Sequence, residues 1–301
     1  MNVLAALLAQ VWALDPVVMY RLAAIIERHA AGIRLEASEI VQAVGAAPQA
    51  ATVRRAAAAS YQGVAVLPLY GVVAHRAHMV ANVSGPGGTS TEIFGRNLRT
   101  ALADDQVGAI LLDVDSPGGS VAGTPELVDL IYQSRGQGKP IVASANALAA
   151  SAAYWIASAA DEFVVTPSGS VGSIGVLAAH EDRSEEAAKV GRKVTYVTAG
   201  KYKAEGNPHE PLGDEARAEV QRMVDHAYGV MVDSIARNRG VSAQVVREQY
   251  GEGRVFHAKQ ALAAGMVDRV ETFDETLARL ASPRRRSRIA AARNAVRLAQ
   301  V

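Results

Sequence analysis

The chain has 301 residues, of which 50% are hydrophobic, and its formal net charge at pH 7 is +1. This length and composition allow a large buried core in one or two domains, and the near-zero charge excludes a globally basic surface of the kind that binds nucleic acid. Because the sequence contains no cysteine, disulfides, thiol nucleophiles and cysteine metal ligands are excluded as well.

Residues 1–60 are predicted to form a helical extension followed by a linker. The first fourteen residues are apolar but lack the basic start of a typical signal peptide, and no stretch reaches the roughly 18 apolar residues of a membrane span. Asp15 and Pro16 then predict the start of a helix over residues 17–29, with Asp15 as its N-cap. Residues 46–60 are interpreted as a linker or a weak helix. We therefore expect a soluble protein without a membrane anchor, acting in the cytoplasm.

From Gly63 onwards, short apolar strands alternate with helices. Strands are predicted over residues 64–73, 107–114, 141–143, 163–165, 194–197 and 267–270, and helices over residues 92–103, 124–134, 152–160, 210–238, 241–250 and 258–264. Residues 274–280 are expected to close the domain. This alternation is typical of an α/β layered fold with a mostly parallel sheet flanked by helices. It predicts one domain over residues 61–281. Residues 282–301, which are rich in arginine, are interpreted as a solvated basic tail, with contact to nucleic acid or an acidic scaffold as the alternatives.

Ser151 lies where a predicted strand gives way to a predicted helix. The strand at 141–143 is followed by a turn of small residues, 146–150, and the alanine-rich segment after Ser151 has a high helix propensity. Free N–H groups and the positive end of a helix lie beside a serine in such a place, and a serine nucleophile needs donors of this kind for its oxyanion. Taken alone, however, the stretch fits a small residue at a helix start better than a nucleophile.

Gly118 and Gly119 follow the predicted strand at 107–114. The next predicted strand along the chain, 141–143, is the one that leads to Ser151. Because adjacent parallel strands end at the same edge of a sheet, we expect this glycine pair and Ser151 to lie close together. Glycine lets a backbone N–H approach a ligand closely. The N–H groups of Gly119 and Ala152 are therefore candidate oxyanion donors, although an ordinary turn explains the glycine pair equally well.

Other kinds of catalytic site fit the sequence less well. His180 with Glu181 or Asp182 would complete a Ser-His-Asp triad, but nothing in the spacing supports one. None of the seven histidines forms an HExxH pair, which disfavours a metalloprotease. Three serines of the segment PSGSVGSIGV are predicted to shape a turn, with the lining of a substrate cleft as the alternative: Ser168, Ser170 and Ser173.

Four segments, in this order, resemble the signal peptide peptidase A family of serine peptidases. They are DSPGGSV at 115–121, AASAAYWIASAAD at 149–161, GSVGSIGV at 169–176 and AGKYK at 199–203. Further matching pieces are GNPHEPL at 206–212, Arg239-Gly240 and AGMVDRV at 264–270, so that the similarity extends from about Gly63 to Leu280. Within the family, the chain is most similar to the prohead proteases, which mature phage capsids. The resemblance implies a Clp-protease/crotonase-type fold.

The resemblance also implies a Ser/Lys dyad in place of a Ser-His-Asp triad. Ser151 takes the position of the nucleophile and Lys203, the second lysine of GKYK, that of the general base. A lysine amine accepts a proton only when its surroundings keep it uncharged, so Lys203 is expected to lie away from solvent. Lys201 competes for the role, since residues two apart on an extended segment lie on the same side, but the motif position favours Lys203.

The remaining site residues also follow from the family pattern. Gly119 and Ala152 carry over as the oxyanion donors. Gly118 and Ser173, which lie in the neighbouring motifs, are expected to bind the substrate. Relatives often have glycine directly after the nucleophile, where this chain has Ala152, which keeps the N–H but leaves less room. The dyad needs no metal and no cofactor.

The implied function is a serine endopeptidase that cleaves scaffold and major capsid proteins during phage head maturation. It implies a protein substrate, a homo-oligomer, no specific nucleic-acid partner, and action in the host cytoplasm or inside the assembling prohead. Two alternatives remain: a cellular peptidase that degrades cleaved signal peptides, and a non-catalytic assembly protein. The missing anchor and the GNPHEPL match disfavour the cellular peptidase, and the presence of both Ser151 and Lys203 disfavours the assembly protein.

Overall fold

The computed structural model of the chain describes residues 10–30, 33, 60–76 and 88–282. The first half contains β1 (Trp12–Leu14), α1 (Pro16–Ala30), β2 (Ser60–Tyr61), β3 (Val64–Tyr70), β4 (Val73–Ala74), β5 (Thr89–Ser90), α2 (Thr91–Ala103), β6 (Ala109–Ser116), β7 (Gly118–Ser120), α3 (Thr124–Gln133) and β8 (Ile141–Ala150). The second half contains α4 (Ala152–Ser158), β9 (Glu162–Val165), β10 (Ser170–Gly172), α5 (Ser184–Lys189), α6 (Asp214–Arg239), α7 (Ala243–Gln249), β11 (Val255–His257), α8 (Ala258–Ala263), β12 (Arg269–Val270) and α9 (Phe273–Ala281).

The larger of the two sheets is mostly parallel. Its order is β11-β10-β8-β6-β3-β2, and β9 pairs with β8 and with β12. The pairs among β3, β6, β8, β9 and β10 are parallel, whereas β2 and β11 pair antiparallel at the two ends. The central strand β6 is apolar and buried over most of its length, as expected of a parallel strand covered on both faces. This confirms the predicted mostly parallel sheet flanked by helices.

Helices cover both faces of this sheet. One face packs against α2, α3, α4 and α6 in the main core, and the other packs against α9, whose Leu280 lies among Val64, Leu111 and Val142. Every residue of α4 is buried. Its alanines let the helix lie directly on the sheet, and this close packing fixes the position of Ser151 at its start. No helix within the described ranges combines the length and the apolar character needed to cross a membrane.

A second, smaller sheet has the order β1-β7-β4-β5. The sequence predicted only a helix in the N-terminal extension, and α1 confirms that helix: the Val17 N–H donates to Asp15 Oδ1 at 2.9 Å, as expected of an N-cap. The strand β1 before it was missed. It pairs antiparallel with β7, with Ala13 opposite Gly119, so the extension is part of the sheet beside Ser151.

Three local predictions are wrong. Residues 146–150 do not form a turn, because β8 continues to Ala150 and pairs there with β10. The small side chains that suggested a turn instead allow close packing of this strand. Residues 118–120 form the strand β7 and not only a turn. Residues 194–197 form no strand and are exposed, since β-rich sequence alone is not enough without a partner strand. The proposed linker and basic tail fall, apart from Ser60 and Ser282, outside the described residues, and the domain limits stay a prediction.

Candidate active site

Ser151 lies at the junction of β8 and α4 in a strained conformation. Its φ is 55° and its ψ is −117°, a region that costs a residue other than glycine about 1–3 kcal/mol. The backbone is held on both sides: the Ser151 N–H donates to the Gly172 carbonyl at 2.7 Å, and the Ser151 carbonyl accepts from the Trp155 N–H at 2.9 Å. A strained serine at a sharp strand-to-helix turn is a feature of serine hydrolases.

Gly118, the first residue of the glycine pair, lies against this serine, as the order of the strands predicted. Gly118 has a φ of 97°, and a Cβ built on it would lie 2.9 Å from Ser151 Cβ and would overlap the Ala13 carbonyl oxygen. A Cβ on Gly119 would lie 2.6 Å from the Val73 carbonyl carbon. Both positions therefore need glycine, because β7 is pressed between β1, β4 and the Ser151 turn.

The other predicted site residues on this side also lie near Ser151. Ala152 begins α4, so its N–H belongs to the first turn, whose N–H groups have no acceptor within the helix. Ser173 is buried, with a φ of 52°, and it lies two residues before Gly175, whose carbonyl accepts from Ser151 Oγ at 3.4 Å. The roles of Ala152 and Ser173 stay predictions.

Among the described residues, Lys203 is exposed whereas Ser151 is buried. It lies in a turn in which its N–H donates to the Gly200 carbonyl at 3.2 Å, and its side chain is exposed. Among the described residues, Ser151 Oγ has no hydrogen bond to a lysine. The expectation that Lys203 lies away from solvent is therefore not met in the single chain, because residues 191–203 are exposed and nothing described covers them.

The competing Lys201 is engaged elsewhere. Its Nζ lies 2.9 Å from Tyr202 Oη and 3.0 Å from Glu215 Oε1. The hydrogen bonds to Tyr202 and Glu215 raise the pKa of Lys201 above its ordinary value. A lysine that is held as an ammonium cannot accept the proton of a serine, so this observation favours Lys203 over Lys201 as the base.

The histidines do not form a triad with Ser151. Within the described part of the chain, no histidine is hydrogen-bonded to Ser151, and Nε2 of His180 is buried without a partner. His257 Nδ1 instead lies 2.9 Å from Ser170 Oγ, across the pairing of β10 with β11. This pair was not predicted, and it joins two strands at the sheet edge.

Comparison with known proteins identifies the family. Residues 133–285 match the family model described as Peptidase family S49. The chain belongs to peptidase family S49. This confirms the family that the four motifs predicted.

Two phage proteins are among the relatives of this S49 chain. The head-tail preconnector protein GP5 of Enterobacteria phage P21 is 34% identical over 220 residues, which is 73% of this chain and 43% of that protein. The capsid assembly protease C of Escherichia phage lambda is 35% identical over 241 residues, which is 78% of this chain and 54% of that protein. The chain thus spans about half the length of these relatives. A ClpP1 mutant from Listeria monocytogenes has a TM-score of 0.43 and 12% identity, covering 70% of this chain and 94% of that one.

The S49 match covers only part of the site. It includes Ser151 and Lys203, but it begins after β7 and so leaves out Gly119 and the whole of β1. Sequence reasoning reached Gly119 through the order of the strands. It missed β1, since three apolar residues before a helix carry no periodic signal.

A carboxylate pair near the end of β6 was also missed. Asp113 accepts hydrogen bonds from Tyr70 Oη and, at 3.3 Å, from Asn146 Nδ2. Burial raises the pKa of Asp113 and that of Asp115. Two aspartates at alternate positions of an otherwise apolar strand were the available signal. Asp115 is three residues before Gly118, so the pair lies close to the site in sequence, but none of its hydrogen bonds reaches Ser151.

Replacing Gly119 with alanine tests the close packing of β7. The added methyl group would collide with Val73, so we expect the free energy of unfolding to fall by about 1–3 kcal/mol. Alanine keeps the backbone N–H, so if Gly119 is an oxyanion donor, hydrolysis falls as far as the collision displaces this N–H from the oxyanion. Thermal unfolding and peptide hydrolysis measure the two effects. Gly229→Ala is the matched control, because a Cβ at Gly229 has no atom within 4 Å; equal stability of both variants would contradict the packing argument.

Proposed function

We propose that this chain is a serine endopeptidase that uses Ser151 as nucleophile and Lys203 as general base. The observation that carries the proposal is the strained Ser151 at the head of α4, with Gly118 packed against its Cβ. Strain of this size persists only where the surroundings impose it, and such places cluster at active sites. Membership of family S49 supports the same assignment.

The proposed reaction is an acyl transfer to serine. Ser151 Oγ attacks the scissile carbonyl carbon while its proton passes to the Lys203 amine. The N–H groups of Gly119 and Ala152 stabilise the resulting oxyanion. The Lys203 ammonium then protonates the leaving amine, and an acyl ester remains on Ser151. Water, deprotonated by Lys203, attacks this ester; the bond to Ser151 Oγ breaks, the Lys203 ammonium returns the proton to this oxygen, and the second product leaves as a carboxylic acid.

A homo-oligomer is part of the proposal, because Lys203 needs a cover that the described residues of one chain do not provide. The segment around Lys203 presents apolar side chains to solvent: Val197 is 96% exposed, and Val194, Tyr196 and Tyr202 are exposed as well. A cluster of this kind is typical of a protein contact surface. We infer that a second copy packs here and removes Lys203 from solvent.

The proposed substrates are scaffold and major capsid proteins, cleaved in the host cytoplasm during phage head assembly. The names of the two phage relatives, a preconnector protein and a capsid assembly protease, support this choice. The chain's similarity covers about three quarters of its own length in both cases.

The experiment offers three substrates in parallel to the purified chain: the scaffold protein and the major capsid protein of the same genome, and a synthetic signal peptide. Mass spectrometry of the fragments is expected to show discrete cuts in the scaffold or capsid protein, absent with Ser151→Ala. Cleavage of the signal peptide alone would favour the cellular peptidase. Capsid assembly that is equally good with Ser151→Ala, without any cleavage, would favour the assembly protein.

A further inference from the structure

The strand β1 lies between two backbone segments that flank Ser151, namely the strand β7 and the segment around Leu177. On one side it pairs antiparallel with β7. On the other, the Trp12 N–H donates to the Leu177 carbonyl at 2.8 Å and the Leu177 N–H donates to the Trp12 carbonyl at 2.9 Å. Residues around Trp12 are therefore an extended peptide, held through its backbone on both sides. Extended peptides that bind to other proteins are commonly held in this way, as an added strand.

The carbonyl oxygen of Ala13 is paired with the candidate oxyanion donor, the N–H of Gly119. The Val121 N–H donates to the Val11 carbonyl at 3.4 Å, and the Asp15 N–H donates to the Pro117 carbonyl at 3.1 Å. Hydrogen-bonded pairs alternate along an antiparallel ladder, so the pair between them, Ala13 and Gly119, is hydrogen-bonded too. The Gly119 N–H thus donates to the Ala13 carbonyl. The same carbonyl oxygen and Ser151 Cβ both lie where a side chain on Gly118 would begin.

These contacts place Ala13 where a substrate must place its scissile carbonyl. Its small side chain is fully buried and belongs to the main core, whereas the larger side chains of Trp12 and Leu14 lie in a different cluster. A peptide bound in the same register would need a small residue between two large apolar ones.

Departure of the segment would remove only one small side chain, that of Ala13, from the main core. Trp12 and Leu14 pack in a separate cluster with residues of α1, among them Met19, Leu22 and Ile25; outside β1 and α1, the described members of this cluster are Val72, Leu177 and Ala179. The α1 helix is further held by an ion pair between Glu27 and Arg183, both partly exposed. Departure of β1 and α1 together would therefore expose a small apolar surface beside Ser151 and leave the large sheet intact.

We propose that residues 11–15 fill the groove between β7 and Leu177 in which the substrate binds, and thereby keep the Ser151 site inactive. When they leave, an extended peptide with a small residue between two large apolar ones binds in their place. This inference rests on the proposed peptidase function of Ser151. It assigns the backbone edges of β7 and Leu177 as the peptide-binding site and gives the N-terminal segment a regulatory role.

The test loosens β1 in the full chain with the double variant Trp12→Ala/Leu14→Ala. The amide protons of Gly119, Val121 and Leu177 report directly, because each donates to β1 in the closed form. We expect their hydrogen exchange to become at least about tenfold faster, and hydrolysis of a fluorogenic peptide with the sequence of residues 10–16 to rise by at least about tenfold, since removing buried Trp and Leu side chains weakens docking strongly. Tyr20→Ala is the matched control: its side chain lies on α1 and is 77% exposed.

A second variant and a binding measurement separate this inference from the peptidase function. Ala13→Pro removes the residue 13 N–H but keeps Trp12 and Leu14, and it should open the groove in the same way. In a Ser151→Ala background, the peptide of residues 10–16 should bind the opened chain at least about tenfold more tightly than the closed chain and restore protection at Gly119. The amides of β6 show whether the main core has remained folded.

The outcomes are distinct. Faster exchange and tighter peptide binding without hydrolysis in any variant would leave the groove assignment standing and remove the peptidase function. Unchanged exchange at Gly119 and Leu177 in both variants, or an opened chain that binds the peptide no better than the closed one, would overturn the inference and show that β1 is a structural strand only.

Discussion

Replacing Ser151 with alanine is expected to lower peptide hydrolysis by at least about 10³-fold while leaving the fold intact. The nucleophile is lost, but the backbone is not changed: alanine meets the same positive φ as serine, so the strain at this turn stays. The Oγ makes one long hydrogen bond, to the Gly175 carbonyl at 3.4 Å. Its loss should change the free energy of unfolding by no more than about 1 kcal/mol.

The comparison is made in two backgrounds, the chain as it is and the Trp12→Ala/Leu14→Ala chain, in which the groove is expected to be open. Ser168→Ala is the matched serine control, because Ser168 is exposed in the turn before β10. Hydrolysis and thermal unfolding are measured for each chain. A Ser151→Ala chain that hydrolyses the peptide as fast as its parent in the opened background would remove the nucleophile assignment.

Replacing Lys203 with alanine is expected to lower hydrolysis by about 10²–10⁴-fold, the usual contribution of a general base. Because the side chain is exposed in the single chain, its loss should change the free energy of unfolding by no more than about 0.5 kcal/mol. Lys203→Arg should be equally inactive, since a guanidinium does not give up its proton in proteins. Steady-state hydrolysis and thermal unfolding test these expectations.

Lys201→Ala is the matched control for the base. Lys201 is hydrogen-bonded to Tyr202 and Glu215, which raise its pKa further from neutrality; its loss should cost hydrolysis far less. If a second copy covers Lys203, the rate per chain should also rise with protein concentration. A Lys203→Ala chain with full activity beside an inactive Lys201→Ala chain would exchange the roles of the two lysines.

The sequence was most informative where local rules and the order of the strands decide the structure. Ser151 at a strand-to-helix junction follows from an apolar run and an alanine-rich helix, and its closeness to Gly118 follows from two consecutive parallel strands. The N-cap role of Asp15 is local in the same sense, since an oxygen side chain before a helix satisfies a free N–H.

What the sequence did not predict depends on partners far away along the chain. Trp12 pairs with Ser120 and with Leu177, and nothing in a three-residue apolar stretch specifies those neighbours. Val194 and Val197 suggested a strand, but within the described part of the chain no strand pairs with them. The surroundings of Lys203 are likewise set by what packs on its segment, which a motif position does not report.

The proposed chemistry depends most on Ser151 being the nucleophile, and labelling with a fluorophosphonate tests this assignment most directly. Mass spectrometry of the digested chain is expected to place the adduct on Ser151, more rapidly in the Trp12→Ala/Leu14→Ala chain than in its parent and much more slowly after Lys203→Ala. An adduct on Ser173 or Ser170 with Ser151 unmodified in the opened chain would contradict it.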